Sequence, residues 1–260
     1  MSHHPQKIIG VGLKMYFSAA QTIEWANKVK SQISSLASIE KSSIEFFVLP
    51  STPMISQLVK TFVGSKVRVG SQNHASTEMG AFTGETSAQM LSEIGCEFAE
   101  IGHAERRRDF NETDELIAQK VLQALSADLI PIICVGENIQ VKPETAAEIC
   151  IKQIKSALSL SESYLNQRII IAYEPVWAIG VASPADAGHI NIVSAKIKAA
   201  LSPLGSPNLQ ILYGGSADRG LFEKIAQNVD GLFLGRSAHD VNNLKRIVEE
   251  VESISLELAK

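Results

Sequence analysis

Residues 168–180 read RIIIAYEPVWAIG, an apolar run that ends abruptly at a charged residue. Ile169, Ile170, Ile171 and Ala172 are apolar without interruption, whereas a strand with one face in water would alternate apolar and polar residues. Such a run is typical of a parallel strand that is covered on both faces. Pro175 cannot donate a ladder hydrogen bond, so the strand is expected to end there.

Eight short runs of this kind recur, and a longer segment with helical spacing follows each of them. This alternation predicts an α/β fold, a closed (β/α)8 barrel of parallel strands, and an open doubly wound sheet is the alternative. No linker or low-complexity tract interrupts the chain, so residues 1–260 are predicted to form one barrel domain. The predicted strands are 8–13, 44–49, 67–72, 97–101, 129–135, 168–173, 209–213 and 231–234. The predicted helices lie near 18–35, 53–63, 86–94, 112–125, 144–159, 184–201, 219–227 and 239–256.

The composition is that of an ordinary globular protein. Of 260 residues, 45% are hydrophobic and 20% are charged, which excludes wholesale disorder. The net charge of −4 argues against nucleic acid or an anionic membrane as the main partner. No apolar run approaches the roughly 18 residues of a membrane-spanning helix, and the first residues lack a secretory pattern. Three cysteines without metal-ligand spacing suggest free thiols, and we expect a cytoplasmic protein that binds no metal.

Polar residues and glycines follow five of the predicted strands. In a barrel, the loops after the strands form one face, and that face carries the active site. Glycine-rich turns after strands seven and eight stand where barrels commonly hold a phosphate. The residues at these ends include Lys14 after strand one, His103 and Glu105 after strand four, Glu174 and Gly180 after strand six, Ser216 after strand seven, and Gly235 and Arg236 after strand eight.

These residue types together indicate proton transfer on a phosphorylated substrate. A carboxylate can act as a general base, an imidazole can polarise an oxygen, and a fixed cation can stabilise an enediolate. Each residue alone also has an ordinary structural explanation, such as a strand end for Glu174 or a surface position for Lys14. The three arginines at 106–108 are expected to pair with nearby carboxylates, Glu105 foremost, rather than to bind nucleic acid.

The strings around these residues resemble the triosephosphate isomerase family over nearly the whole chain. The resemblance implies an aldose–ketose phosphate isomerase that uses no cofactor, interconverts dihydroxyacetone phosphate and glyceraldehyde 3-phosphate through an enediolate, and forms a homodimer through the loop 72–83. The matching strings are AYEPVWAIG at 172–180, LYGGS at 212–216, GHAERR at 102–107, GAFTGE at 80–85 and ICVGE at 133–137.

The family's site residues carry over to matching positions of this sequence. The resemblance makes Glu174 the base, His103 a neutral hydrogen-bond donor and Lys14 the cation, with Glu105 beside the lysine. The pairing of a carboxylate base with a neutral histidine is known for this family. The loop from Pro175 resembles a mobile lid. Phosphate is expected at the backbone of Gly180, Ser216, Gly235 and Arg236.

Four departures bear on the substrate. Gly12 stands where the family usually has Asn, Ala104 where it usually has Ser, and Arg236 where it usually has Gly. The lid is about three residues shorter near 181–184 than the family's usual lid. The Gly-Arg-Ser-Ala string at 235–238 resembles a branch that acts on four-carbon ketose phosphates such as L-erythrulose 1-phosphate. The sequence favours triose phosphate as the substrate, then a tetrulose phosphate, and a weakened sugar-phosphate-binding paralogue is a third alternative.

Overall fold

Eight parallel strands form a closed barrel in a computed structural model of the chain. The structure describes residues 7–41, 43–161, 163, 166–181, 183–201 and 209–258. Each strand pairs with the next along the chain, and the last strand pairs with the first. Closure confirms the barrel and excludes the open sheet. The strands are β1 (Lys7–Gly12), β2 (Ile44–Leu49), β3 (Val67–Ser71), β4 (Phe98–Ile101), β5 (Ile130–Val135), β6 (Ile169–Tyr173), β7 (Leu209–Tyr213) and β8 (Gly231–Leu234).

Helices cover the outside of the barrel. The larger of the two apolar cores lies between these helices and the strands. Eight of them correspond to the predicted helices. The described helices are α1 (Ala19–Gln32), α2 (Ala37–Glu40), α3 (Ile55–Phe62), α4 (Ala88–Glu93), α5 (Ala104–Asp109), α6 (Asp114–Ser126), α7 (Pro143–Ala157), α8 (Ala187–Leu201), α9 (Phe222–Ile225) and α10 (Val241–Leu258).

A second, smaller core fills the inside of the barrel. Phe47 and Phe98 stack there with ring centroids 4.3 Å apart, and Phe233 tilts against Phe47 at 6.1 Å. Ile8 and Ile170 belong to the same cluster and are fully buried. These side chains fill the interior of the barrel, and the carboxyl ends of the strands form the face where barrels carry their active sites.

Two helices were absent from the sequence prediction for a physical reason. Helix α5 buries none of its residues, so it has no apolar stripe to reveal it, and α2 spans only four residues. Helix α9 is also short, at four residues, within the predicted 219–227.

No helix in the described part of the chain is both long enough and apolar enough to cross a membrane. The prediction of a single domain over 1–260 includes residues outside the described ranges and stays a prediction.

Candidate active site

A cavity of about 370 Å³ opens at the carboxyl ends of the strands. Seven of the eight site residues that the sequence predicted line it, and the eighth, Glu105, lies behind Lys14. The structure therefore brings together residues that are far apart in the chain, as the barrel topology requires. The seven lining residues are Lys14, His103, Glu174, Gly180, Ser216, Gly235 and Arg236.

Glu174 directly follows β6, and its backbone N–H donates to the carbonyl of Val135 at 2.8 Å. Two glycines make its position possible. A Cβ on Gly136 would overlap the carbonyl oxygen of Glu174, and a Cβ on Gly214 would overlap its Oε1. The side chain therefore lies in a cradle that only the smallest residue leaves open.

The Glu174 carboxyl is nearly inaccessible to water, with 6% of the residue exposed. Burial first, and then the neighbouring charge of Glu100, raise its pKa to about 8, although Lys14 acts in the opposite direction. Within the described residues, its Oε2 atom is buried and has no hydrogen-bond partner. A carboxyl with these properties is suited to take up and release a proton.

His103 caps the N-terminus of α5, where its Nδ1 accepts the backbone N–H of Glu105 at 3.1 Å. Burial, together with the charge of Lys14, lowers the pKa of His103 to about 4. The ring is therefore neutral at pH 7, and an Nδ1 that accepts leaves the proton on Nε2. Nε2 lies 3.5 Å from Oε2 of Glu174, so its N–H faces the cavity beside the carboxyl.

Lys14 adopts a left-handed backbone conformation, with φ of 48°, which is costly for a residue with a side chain. Its carbonyl accepts hydrogen bonds from Ser51 Oγ at 2.8 Å and Gln72 Nε2 at 3.1 Å. Residues from the loops after β2 and β3 thus hold the conformation that places the ammonium at the cavity.

The Lys14 ammonium pairs with Glu105, with 2.6 Å between Nζ and Oε1. Burial lowers the pKa of Lys14, but the bond to Glu105 and the charges of Glu105, Glu174 and Glu100 outweigh it and raise the pKa overall. Burial likewise raises the pKa of Glu105, and the bond to Lys14 more than reverses this. Lys14 is therefore a permanent cation at neutral pH.

The expectation that Glu105 pairs with the adjacent arginines was wrong; it lies beside Lys14, as the family resemblance implies. Arg106 instead pairs with Glu112, Arg107 with Asp114, and Arg108 with Asp109. Helix α5 turns the arginine side chains away from the cavity, whereas Glu105 at its first turn faces Lys14. The ion-pair interpretation of the three arginines is correct, with other partners.

The lid segment contacts both glycine-rich turns. Ser216, with φ of 51°, donates from Oγ to the carbonyl of Val181 at 3.1 Å. Arg236 donates from Nη2 to the carbonyl of Gly180 at 2.7 Å. The Arg236 side chain therefore points across the rim to the lid. Ala182, within the stretch that the sequence marks as shortened, lies outside the described residues.

A buried group of polar residues anchors the start of the lid. Trp177 donates from Nε1 to Oε1 of Glu137 at 2.8 Å, and His189 Nε2 lies 3.2 Å from the same oxygen. At the other end, the backbone N–H of Ala185 donates to the hydroxyl of Tyr213 at 3.0 Å. Both ends of the lid are thus tied to the barrel.

Glu100 is one of the lining residues that the sequence analysis missed. It lies on β4 with 7% of its surface exposed, and its side chain reaches the cavity. Burial raises its pKa to about 7, against the opposing effect of Lys14. A charged residue inside an otherwise apolar strand, FAEI, was the signal that could have found it.

Among the described residues, no three His, Cys, Asp or Glu side chains are arranged to hold a metal ion. Cys96, Cys134 and Cys150 are all free thiols, and all three are buried. The described side chains at the cavity include the carboxyls of Glu100, Glu174 and Asp218, an imidazole, an ammonium and a guanidinium.

Comparison with known proteins gives a consistent family. The model of the triosephosphate isomerase family matches residues 7–251. The chain is 42% identical to the L-erythrulose-1-phosphate isomerase of Pectobacterium atrosepticum over 249 residues, 95% of this chain and 96% of that protein. It is 36% identical to the L-erythrulose-1-phosphate isomerase of Brucella abortus, covering 90% and 91%. It is also 36% identical to the triosephosphate isomerase of Rhodopirellula baltica, covering 81% and 86%.

Proposed function

The chain belongs to the triosephosphate isomerase family and is a sugar phosphate isomerase, and we propose that its substrate is a four-carbon ketose phosphate of the L-erythrulose 1-phosphate type. The similarity to the Pectobacterium atrosepticum enzyme carries the proposal, because it extends over 95% of the chain at 42% identity. This reverses the order that the sequence favoured, in which triose phosphate came first. Triose phosphate is the second candidate, supported by the similarity to the Rhodopirellula baltica enzyme.

The proposed substrate is a triose phosphate with one additional hydroxymethyl group. In L-erythrulose 1-phosphate, C1 carries the phosphate, C2 is the carbonyl, C3 carries a hydroxyl and C4 is the hydroxymethyl group. Removal of the C3 proton forms an enediolate across C2 and C3, and return of a proton to C2 leaves the carbonyl at C3. The product is a second ketose phosphate, and no atom is gained or lost.

In this proposal Glu174 removes the C3 proton. Its Oε2 atom is free of hydrogen bonds among the described residues, and burial keeps its pKa high enough for the carboxylate to be a strong base. The same carboxyl, once protonated, delivers the proton to C2. Because both carbons lie next to each other, one group can serve both steps.

His103 and Lys14 stabilise the charge that develops on the two oxygens. A neutral His103 donates from Nε2 to the oxygen that is negative in the enediolate, and its low pKa keeps this form dominant. Lys14 contributes a fixed positive charge, which Glu105 holds in place. These donors are present before the reaction begins, so little reorganisation is required.

The phosphate is held by backbone N–H groups around Gly180, Ser216, Gly235 and Arg236. The left-handed conformations of Gly180 and Ser216 support this, since such turns make concave N–H sites for anions. Residues Arg236–Ala238 form a short 3₁₀ turn, and the first N–H groups of a helical turn have no partner within it. The lid excludes water while the enediolate exists.

We also propose a homodimer. Met79 and Phe82 in the loop 72–85 are 66% and 50% exposed, and Met15 beside Lys14 is 91% exposed. A second copy of the chain would cover these apolar side chains and close the site beside Lys14. His74 in the same loop needs no second copy to cover it, because the fold buries it and the Ala75 carbonyl lies 2.8 Å from its Nδ1.

The proposed reaction can be followed directly. Purified protein is incubated in deuterated water with L-erythrulose 1-phosphate or with a triose phosphate, and exchange and product formation are recorded by NMR. We expect deuterium at the carbon that bears the new hydrogen and a second ketose phosphate from the four-carbon substrate. Turnover of triose phosphate alone would instead support the second candidate, and turnover of neither would support the weakened paralogue.

A further inference from the structure

Glu100 is a buried carboxyl with no assigned task in the reaction described above. It lies on β4 and lines the cavity together with Gly12, His103 and Glu174. Among the described residues its hydrogen-bond partner is the Sγ of Cys134 at 3.8 Å, a weak interaction for a buried acid. Burying a carboxyl with so few hydrogen bonds costs free energy, unless a ligand in the cavity supplies the missing hydrogen bonds.

Gly12, at the end of β1, lines the same cavity. A Cβ built at this position would meet only the ring of Phe233, at 3.5 and 3.8 Å, both ordinary contact distances. The position therefore tolerates a side chain sterically, and glycine leaves that volume to the cavity. The backbone conformation of Gly12 does not require glycine, since its φ is not in the left-handed region.

We propose that Glu100 forms the subsite for the terminal hydroxymethyl group of the four-carbon substrate by hydrogen-bonding its hydroxyl, and that the volume left open at Gly12 lets the longer substrate fit the cavity. This inference rests on the proposed function and deepens it. Glu174 must lie against C3 to remove its proton, and C4 is bonded to C3, so the hydroxymethyl group lies close to Glu174. Glu100 is near enough to Glu174 for its charge to raise the pKa of that group.

A carboxyl is a suitable partner for a sugar hydroxyl in either protonation state. A hydroxyl both donates and accepts, a carboxylate accepts, and a carboxylic acid does both. Burial raises the pKa of Glu100 to about 7, so both forms are present near neutral pH and either can pair with the hydroxyl. Triose phosphate has no group at this position, so Glu100 has nothing to bind in that substrate.

The test is the effect of Glu100 variants on two substrates measured in parallel. Glu100→Leu removes the hydrogen-bonding group and retains a buried side chain, and Glu100→Gln retains hydrogen bonding without charge. Because the charge of Glu100 also raises the pKa of Glu174, the variants are compared at pH 9.5, where Glu174 is ionised in each of them. For Glu100→Leu we expect kcat/KM at this pH to fall about 10- to 100-fold with L-erythrulose 1-phosphate and to change less than about threefold with triose phosphate. For Glu100→Gln we expect a loss of less than about tenfold with the four-carbon substrate.

Gly12→Asn tests whether the longer substrate needs the volume left open at Gly12. It fills the volume at Gly12, so we expect kcat/KM to fall about tenfold or more for the four-carbon substrate and to be unchanged or higher for triose phosphate. Glu97→Gln is a matched control, because Glu97 pairs with Arg68 at the opposite end of β4. Thermal unfolding of each variant shows whether folding is retained.

Two outcomes overturn the inference and are distinguishable. If the wild-type enzyme turns over L-erythrulose 1-phosphate but Glu100→Leu lowers kcat/KM equally for both substrates, Glu100 does not select the terminal group, and the proposed function stands. If the wild-type enzyme does not turn over the four-carbon substrate, the proposed function fails and the subsite fails with it. A selective loss in Glu100→Leu that Glu100→Gln largely restores supports the subsite.

Discussion

The Nε2 atom of His103 lies 3.5 Å from Oε2 of Glu174, while Nδ1 of the same ring accepts the backbone N–H of Glu105 at 3.1 Å. The backbone of α5 therefore fixes which ring nitrogen carries the proton. Since the pKa of His103 is about 4, the two side chains approach as a neutral donor and a carboxyl rather than as an ion pair. A substrate oxygen placed near Nε2 lies close to the base as well.

The first prediction concerns the base. Glu174→Gln keeps the shape of the side chain and removes its basicity, so we expect turnover to fall at least about a hundredfold with either substrate. Circular dichroism and thermal unfolding should show a folded protein. Near-normal turnover in this variant would refute the role of Glu174.

The second prediction concerns the pH dependence of kcat/KM. The base form of Glu174 is the carboxylate, and its pKa is about 8, so kcat/KM should rise with pH, with a midpoint near pH 8, and level off above about pH 9. The charge of Glu100 contributes to this high pKa, so Glu100→Gln should move the midpoint to lower pH. A profile measured from pH 5.5 to 9.5 with triose phosphate tests both, and a midpoint that Glu100→Gln leaves unchanged would contradict the coupling.

The third prediction concerns stability. Folding raises the pKa of Glu100 from 4.5 to about 7, so the folded state binds the proton more tightly than the unfolded chain. This contribution is fully favourable below pH 4.5 and is lost as pH rises through 7. Glu100→Gln should therefore increase the free energy of unfolding at pH 8 by on the order of 1–3 kcal/mol, since a tenfold change in an equilibrium constant is about 1.4 kcal/mol. Urea unfolding at pH 4.5 is the control, where little of this gain should remain.

The fourth prediction concerns the lid. Arg236→Ala removes the guanidinium that donates to the Gly180 carbonyl and keeps the backbone N–H at the phosphate position. We expect KM to rise about three- to tenfold, consistent with the loss of one charged hydrogen bond on an exposed segment, with a smaller change in kcat. Arg236→Lys keeps the charge but not the several N–H donors of the guanidinium, so its KM should lie between those of the wild type and Arg236→Ala. An unchanged KM in Arg236→Ala would show that the contact is incidental.

The fifth prediction concerns assembly. Light scattering at micromolar concentration should give the mass of two chains. Phe82→Asp places a charge in the exposed loop 72–85 and should shift the protein toward the monomer with lower activity. Met90→Asp is a matched control, because Met90 is also exposed, at 47%, but lies on α4 outside that loop. A wild-type monomer with full activity would contradict the dimer.

The architecture was predictable because it depends on patterns that burial imposes on the sequence. The apolar run 169–172 is a strand because both of its faces are covered, and the boundaries of β2, β7 and β8 agree with the prediction to the residue. Helix α5 was not predictable in this way, since it buries no apolar side chain.

The site was predictable at the level of which residues meet, and not at the level of how they pair. Strand order places Lys14, His103 and Glu174 at one end of the barrel. The family resemblance put Glu105 beside Lys14, where it lies. The partners of the three arginines depend on how α5 turns, and the direction of Arg236 depends on a rotamer, and neither has a sequence signature. Glu100 lies within β4 rather than after it, so the rule that site residues follow the strands did not include it, although its charge inside an apolar strand could have indicated it.

Gly214 and Gly136 hold Glu174 in place by having no side chains. This constrains evolution as well as structure, because a side chain at either position would displace the Glu174 carboxyl. Any lineage that acquires a new substrate from this scaffold has to change residues that are not steric supports of the base. Gly12, Glu100 and Arg236 meet that condition. Substitutions that adapt the cavity to a longer or shorter sugar can therefore occur at these positions, but not at the two glycines that support Glu174.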